Sequence, residues 1–196
     1  LVNEKNMGVN FTRNRALSEA GDDTWIIFLD DDDYLAEDTL AHFKKLIHEH
    51  PHIHWFMTNR ALINGNSLTH APRQNKKYAY AWEYLITKQI KGDATHCIQK
   101  KALGKSRFST TIKQGEEWFF FYYLGLTEKL FYVNHNSTLS GGYDMQQGLN
   151  FRHRPKKEQL QSLIALYKEG YAKGLCSHFT FLVYMKLRLL KLIIKS

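Results

Sequence analysis

Cysteine is nearly absent from this 196-residue chain: Cys97 and Cys176 stand far apart and form no CxxC arrangement. That excludes a disulfide framework and leaves two reduced thiols, as expected of a cytosolic protein. Internal repeats and low-complexity linkers are also lacking, so neither a repeat array nor a tethered segment is expected. No signal peptide opens the chain, and its first residue is Leu1 rather than Met. LVNEKNMG reads as the end of a strand entering a turn, which predicts an N-terminal truncation. In the C-terminal tail the longest run free of Lys, Arg, Asp and Glu is Gly174 to Met185, well short of the roughly 20 apolar residues that span a bilayer. The last scarcity is local: residues 151–196 hold 2 acidic residues against 10 lysines and arginines.

What is present is globular. The length suits one domain with a substantial core, and 43% hydrophobic with 23% charged residues excludes disorder. The net charge of +8 is unevenly placed, because residues 1–150 hold 17 basic and 17 acidic residues, which cancel. An evenly basic chain would point to nucleic acid. A neutral body (1–150) with a basic tail (151–196) points to an anionic surface and no nucleic acid.

Alternating elements predict an α/β architecture. A helix is expected over Asn10 to Ala20, with Asn10 as N-cap and Gly21 past its end. The apolar run Trp25 to Leu29 reads as a strand buried on both faces of a parallel sheet. Glu37 to His48 is helical by the spacing of Leu40, Phe43, Leu46 and Ile47. Ile53 to Ile63 reads as a strand closed by the turn Asn64-Gly65-Asn66. Further along, a short helix is expected over Tyr80 to Thr87, a strand over Ala94 to Ile98, a buried helix over Glu116 to Leu126 and a strand over Leu130 to Val133. The tail supplies an amphipathic helix from Lys156 to Lys173, with Leu160, Leu163, Ile164 and Tyr167 on one face, and a last helix from about Phe179.

The stretch WIIFLDDDDYL, Trp25 to Leu35, crowds four carboxylates after a strand. Like charges so close raise one another's pKa unless a cation sits among them. In open α/β sheets ligands bind beyond the carboxyl ends of strands, and clustered carboxylates there are hard ligands for Mg²⁺ or Mn²⁺ shared with a phosphate. An EF-hand loop from Asp30 fails, because Leu35 and Ala41 stand where glycine and glutamate are needed. A haloacid-dehalogenase-type phosphatase wants Thr or Val where Tyr34 stands. A plain acidic loop remains open on the local run alone.

The surroundings carry more. Asn6, Gly8, Arg13-Asn14, Gly21-Asp22 and Leu29-Asp30-Asp31-Asp32-Asp33 come in the order that resembles family-2 glycosyltransferases of the GT-A fold, a Rossmann-like mixed sheet flanked by helices. Gly115-Glu116-Glu117-Trp118 matches the family's acidic pair followed by an aromatic, with Glu117 where Asp is usual. Val133-Asn134-His135-Asn136-Ser137 resembles the strand end that closes its acceptor side. The resemblance covers residues 1 to about 140. In that family the metal motif follows earlier elements that hold the nucleotide base. One βαβ unit takes roughly 30 residues or more, so about 50–60 residues are expected to be missing ahead of Leu1.

The resemblance implies inverting transfer of a sugar from a nucleotide-diphosphate sugar to a saccharide or lipid-linked acceptor, in cell-surface polysaccharide or glycolipid synthesis. It implies Mn²⁺ or Mg²⁺ on Asp32 with Asp30 or Asp31, and donor contacts from Arg13, Asn14, Asp30, Asp31 and Asp33. The base is Glu117 or Glu116, and His135 and Trp118 are candidates for the acceptor or a phosphate. Acids at a helix start also occur for the macrodipole alone. His48, His50, His52 and His54 invite zinc, but Pro51 splits the set and a structural or solvated role is expected. In the tail, Arg188, Lys191 and Lys195 fall on one side of a helix otherwise lined by leucine and isoleucine. With Arg152, Arg154, Lys156 and Lys157 this predicts a helix lying on an anionic membrane surface, and so a cytoplasmic protein peripheral to the inner face of the cell membrane. Two alternatives stay open: a metal-dependent phosphatase-like enzyme, and an inactive membrane-associated fragment of a transferase.

Overall fold

A computed structural model describes residues 5–112, 116–140 and 155–194. Gly115, Arg152, Arg154 and Lys195, named above, lie outside the described residues. The elements are, in chain order, α1 (Val9–Glu19), β1 (Trp25–Ile27), β2 (Asp33–Leu35), α2 (Thr39–Glu49), β3 (Trp55–Leu62), β4 (Lys76–Tyr78), β5 (Ala94–Gln99), α3 (Trp118–Leu124), β6 (Leu130–Ser140), α4 (Lys156–Ala172) and α5 (Phe179–Ile194). A π-helical turn covers Tyr80–Ile86, and 3₁₀ turns cover Lys100–Leu103 and Leu175–Ser177. They fall into two compact units. One comprises Leu1–Glu19, Ser106–Tyr123 and Asp144–Ser196; the other comprises Ala20–Lys105 and Leu124–Tyr143.

The second unit holds the sheet, in the order β1-β5-β3-β6-β2, with β4 also on β6. β3 and β6 are parallel; every other pairing is antiparallel. β1 is antiparallel to β5, and β5 to β3, so β1, β3 and β6 all run the same way. This is the mixed sheet that the resemblance to GT-A enzymes implies. One face of it packs on α2: Phe43 and Leu46 of the helix join Ile53, Phe56, Cys97, Phe131 and Val133, with Trp25, Ile27 and Ile47 against them. Fully burying side chains of this size contributes about 1.5–3 kcal/mol each, which is why the helix spacing at 43, 46 and 47 is legible. At the edge of a loop, the bridge between His70 and Lys91 brings Gly92 against its neighbour. Gly92 has φ +82°, and a Cβ there would lie 1.8 Å from the carbonyl oxygen of Leu68.

The first unit is helical. Its segment 106–112 has no regular structure, so its backbone groups need partners from elsewhere. Asn10 and Asn14, one turn apart on the same face of α1, provide them. Asn10 Nδ2 donates to the carbonyls of Ser109 and Ile112 at 2.9 and 3.2 Å. Asn14 donates to the carbonyl of Phe108 and accepts its amide, both at 2.9 Å. An aromatic cluster of Trp118, Phe119 and Tyr122 from α3 with Phe181 and Tyr184 from α5 forms the interior. Gly170 of α4 is required beneath it, since a Cβ there would come within 2.4 Å of the Phe181 ring.

Several expectations are corrected. Asn10 does not cap α1; it lies inside the helix, where a buried amide is held by the 106–112 segment. β1 is a three-residue, half-buried strand paired antiparallel with β5, and among the described residues it sits at the sheet edge rather than inside a parallel sheet. Leu40 is 65% exposed, because α2 meets the sheet along 43 and 46. α4 buries Leu163, Leu166 and Gly170, while Leu160, Ile164 and Tyr167 are exposed; the close seat of Phe181 on Gly170 turns the helix. β6 runs past Val133 to Ser140 because its polar second half pairs with both β3 and β2.

Candidate active site

The four aspartates make the turn between β1 and β2, closed by the Asp33 amide donating to the carbonyl of Asp30 at 3.2 Å. Asp33 pairs with Ser140, the last residue of β6, which also pairs with Leu62, the last residue of β3, so the turn reaches the carboxyl ends of these parallel strands, where the topology of α/β sheets leaves room for ligands. Asp30, Asp32 and Asp33 each offer a carboxylate oxygen, all within 4.8 Å of one another. Asp31 is not part of that group.

Asp33 is different from the other two. It opens β2 with its side chain turned inward and buried. Arg60 of β3 donates to its Oδ1 at 2.8 Å and reaches Asp93 at 3.9 Å. Burial pushes the Asp33 carboxyl above its usual range, and the Arg60 guanidinium and the Ser140 hydroxyl pull it part of the way back. Asp30 and Asp32 are exposed. Three hard oxygen donors, two of them open to solvent, fit a divalent cation of the Mg²⁺ or Mn²⁺ type.

The acid pair belongs to the other unit, and its two members are also unlike. The Glu116 side chain is 7% exposed. Arg188 of α5 donates to its Oε1 at 2.7 Å, and the Trp118 indole N–H donates to its Oε2. The Arg188 guanidinium stands 5.8 Å from the Trp118 ring centre. Glu116 has φ +61°, a left-handed conformation that costs a non-glycine residue about 1–3 kcal/mol and clusters at functional sites. Glu117 is 46% exposed. Its one described ion pair is with Arg13, whose Nη1 donates to Oε1 at 2.9 Å. Arg13 in turn lies over the Phe108 ring at 5.3 Å.

The remaining sequence candidates are placed as follows. Asn14 has its amide engaged with the backbone of Phe108. Trp118 is buried, with its N–H on Glu116. His135 stacks on His42 with ring centres 3.8 Å apart. A carboxylate can only accept, so His135 Nε2–H donates to Asp38 at 3.1 Å, and Nδ1 is hydrogen-bonded with the Ser137 hydroxyl at 2.9 Å. That hydrogen bond pulls the Asp38 carboxyl below its usual range, and burial with the His135 ring beside it pulls His42 down. The histidine run shows no zinc-like cluster among the described residues. In the same unit as the aspartates, a cavity of about 340 Å³ is lined by Asn59, Thr69, His70, Gln74, Tyr132 and Asn134 among others. Asn59 of this lining bonds to Asn134 and Tyr132, and also to Asn136.

Two residues escaped the sequence reading. Arg60 is the charged residue of an otherwise buried strand, WFMTNRAL; such a residue must find a carboxylate, which is a usable signal. The sequence groups Arg188 with Lys191 and Lys195 on one side of the last helix, and only its pairing with Glu116, 72 positions away, sets it apart from the lysines.

The profile of Glycosyl transferase family 2 matches residues 1–111. No curated protein matches the sequence. Among solved structures, TarS 1-349 of S. aureus is similar with a TM-score of 0.52 at 19% identity, over 70% of this chain. The chain spans 41% of the length of that structure. A likeness at this level of identity speaks to the fold, a GT-A-type arrangement.

Proposed function

The chain belongs to glycosyl transferase family 2, and on that premise we propose that it carries out inverting transfer of a sugar from a nucleotide-diphosphate sugar to an acceptor hydroxyl, in the assembly of a cell-surface polysaccharide or glycolipid. The observation that carries the proposal is the convergence of Asp30, Asp32 and Asp33 at the carboxyl ends of the parallel strands. Asp32 and Asp30, with Asp33 steadied by Arg60, would hold Mg²⁺ or Mn²⁺, which supplies neutralisation of the charge that develops on the diphosphate leaving group.

Glu117 is assigned as the base. Of the acid pair it is the carboxylate with open surface, whereas both oxygens of Glu116 are occupied. Its carboxylate takes the proton of the acceptor hydroxyl as that oxygen bonds to the anomeric carbon; the bond to the diphosphate breaks on the opposite face and the configuration inverts. Such a base contributes typically about 10²–10⁴-fold. The amide- and hydroxyl-lined cavity carries no formal charge unless His70 is protonated, which suits the hydroxyls of a saccharide acceptor better than a diphosphate.

An anionic membrane surface is the proposed location. On the first unit, Phe179, Leu182, Leu190, Ile193 and Ile194 of α5 are exposed, and Lys156, Lys157, Lys186 and Lys191 are exposed as well. Among the described residues no helix is long and apolar enough to cross a membrane, so the reading is a helix lying on the surface.

Asp32→Ala and Glu117→Gln test the assignment. Each is expected to abolish transfer with circular dichroism and melting temperature unchanged, because both side chains are solvent-facing. Retention of transfer by the doubly substituted protein would refute it.

A further inference from the structure

We propose that Arg188, on the C-terminal helix, is a positioning residue for the acid pair: it neutralises and fixes Glu116 so that Glu117 alone remains to take the acceptor proton. The inference rests on the functional reading above. Two adjacent carboxylates disfavour each other's ionised form and can exchange roles. A base that works by geometry cannot share its place, since a shift of about 1 Å in a catalytic group costs on the order of 10²-fold in rate.

The structure separates the two carboxylates by their environments. Glu116 is drawn inward by a charge-assisted bond from Arg188 and an indole N–H from Trp118. The guanidinium itself is held over the Trp118 ring, and Tyr184, one turn before Arg188 on α5, packs on that ring with centres 4.8 Å apart. The left-handed backbone at Glu116 is what sends consecutive side chains to different partners, Glu116 to Arg188 and Glu117 to Arg13. That backbone is unfavourable on its own and needs an external tie to persist; Arg188 and Trp118 are that tie. The last helix is therefore part of the catalytic apparatus through its inner face, whatever its outer face meets.

The test uses the full-length protein with Arg188→Ala, Arg188→Lys and Glu117→Gln. Release of nucleoside diphosphate is followed with a panel of UDP- and GDP-hexoses, and amide hydrogen exchange is measured over 116–124. Arg188→Ala is expected to lower kcat by about 10- to 100-fold with the donor KM nearly unchanged. Added guanidinium is expected to restore part of the loss. Arg188→Lys should fall between, because it keeps the charge without the planar fork. Exchange over 116–124 should rise in Arg188→Ala. A folded Arg188→Ala protein with kcat within about two-fold of the unmodified enzyme would overturn the proposal, as would a loss that guanidinium leaves untouched. If the unmodified protein releases no nucleoside diphosphate from any donor, the functional reading falls, and the positioning role with it. The exchange result stands apart from turnover: unchanged exchange overturns the tie itself.

Discussion

The aspartate turn and the glutamate pair sit in different units, on different elements, yet they solve the crowding of carboxylates in the same way. In the turn, Asp33 is buried on Arg60 while Asp30 and Asp32 face solvent. In the pair, Glu116 is buried on Arg188 while Glu117 faces solvent. Each cluster thus has one carboxylate anchored by an arginine and at least one left for other chemistry. The difference lies in depth: the Arg60 side chain is 14% exposed, that of Arg188 31%. A buried anchor fixes the neighbours more firmly and is harder to remove without harm. Because charge is counted but partners are not visible in a sequence, the two clusters look alike on paper, and the division of labour inside each is a property of the fold.

The comparison can be broken from its strongest point downward. Arg60→Ala leaves Asp33 buried without its cation, and breaking a buried pair costs about 3–5 kcal/mol; urea unfolding should show a loss in that range. Glu116→Gln discharges the shallower pair and should be milder, roughly 1–3 kcal/mol, since the amide oxygen keeps one of the two bonds donated by Arg188 and Trp118 while its NH2 cannot accept the other. Gly170→Ala tests the packing beneath the aromatic cluster of the same unit: the new methyl meets the Phe181 ring at 2.4 Å, and overpacking costs typically about 1–3 kcal/mol. Asp30→Asn, at an exposed position, should stay within about 0.5 kcal/mol.

A buried histidine sharpens the contrast from another side. His96 accepts the Trp55 indole N–H at 3.1 Å, and burial drives its pKa down to about 3. The arginine-anchored acids keep charge inside the fold, whereas this group gives its charge up. Unfolded, the ring titrates near 6.5 and binds a proton that the folded state refuses. The stability it sustains is therefore complete above pH 6.5 and falls as the pH drops toward 3, by about 1.4 kcal/mol per pH unit. His42, also lowered, adds to the fall in the same direction. Thermal melts between pH 7.5 and 5 should show the decline, and His96→Gln should flatten it.

Much of this was legible in the sequence for identifiable reasons. The α2 stripe at Phe43, Leu46 and Ile47, β3 with its Asn-Gly-Asn turn, and β5 follow from sequence pattern, because burial imposes it; α4 and α5 are legible as helices, but the face α4 buries, Leu163, Leu166 and Gly170, is not the stripe its periodicity predicts. The aspartate run is visible in its residue types, whereas the acid pair stands out only through the family resemblance, since acids at a helix start also occur for the macrodipole alone. What escaped depends on long-range partners. Asn10 read as a cap because caps and buried latches use the same residue; only the irregular segment 106–112 decides. β2 and β4 are three residues each and borrow their pairing from β6, so no local pattern announces them. Asp33 and Asp31 are neighbours of one kind, and it is Arg60 that selects the first. Arg188 shares its helix and charge with Lys186 and Lys191, and it is Glu116 that sets it apart.

The central claim is that within the acid pair Glu117 reacts and Glu116 anchors. It is tested most directly by measuring sugar transfer and melting temperature together for Glu117→Gln and Glu116→Gln. The account predicts that Glu117→Gln loses transfer by about 10²–10⁴-fold with its melting temperature unmoved, while Glu116→Gln melts lower, by about 2–4 °C for each kcal/mol lost, and keeps measurable transfer. Full transfer in Glu117→Gln, with loss in Glu116→Gln at an unchanged melting temperature, would contradict it.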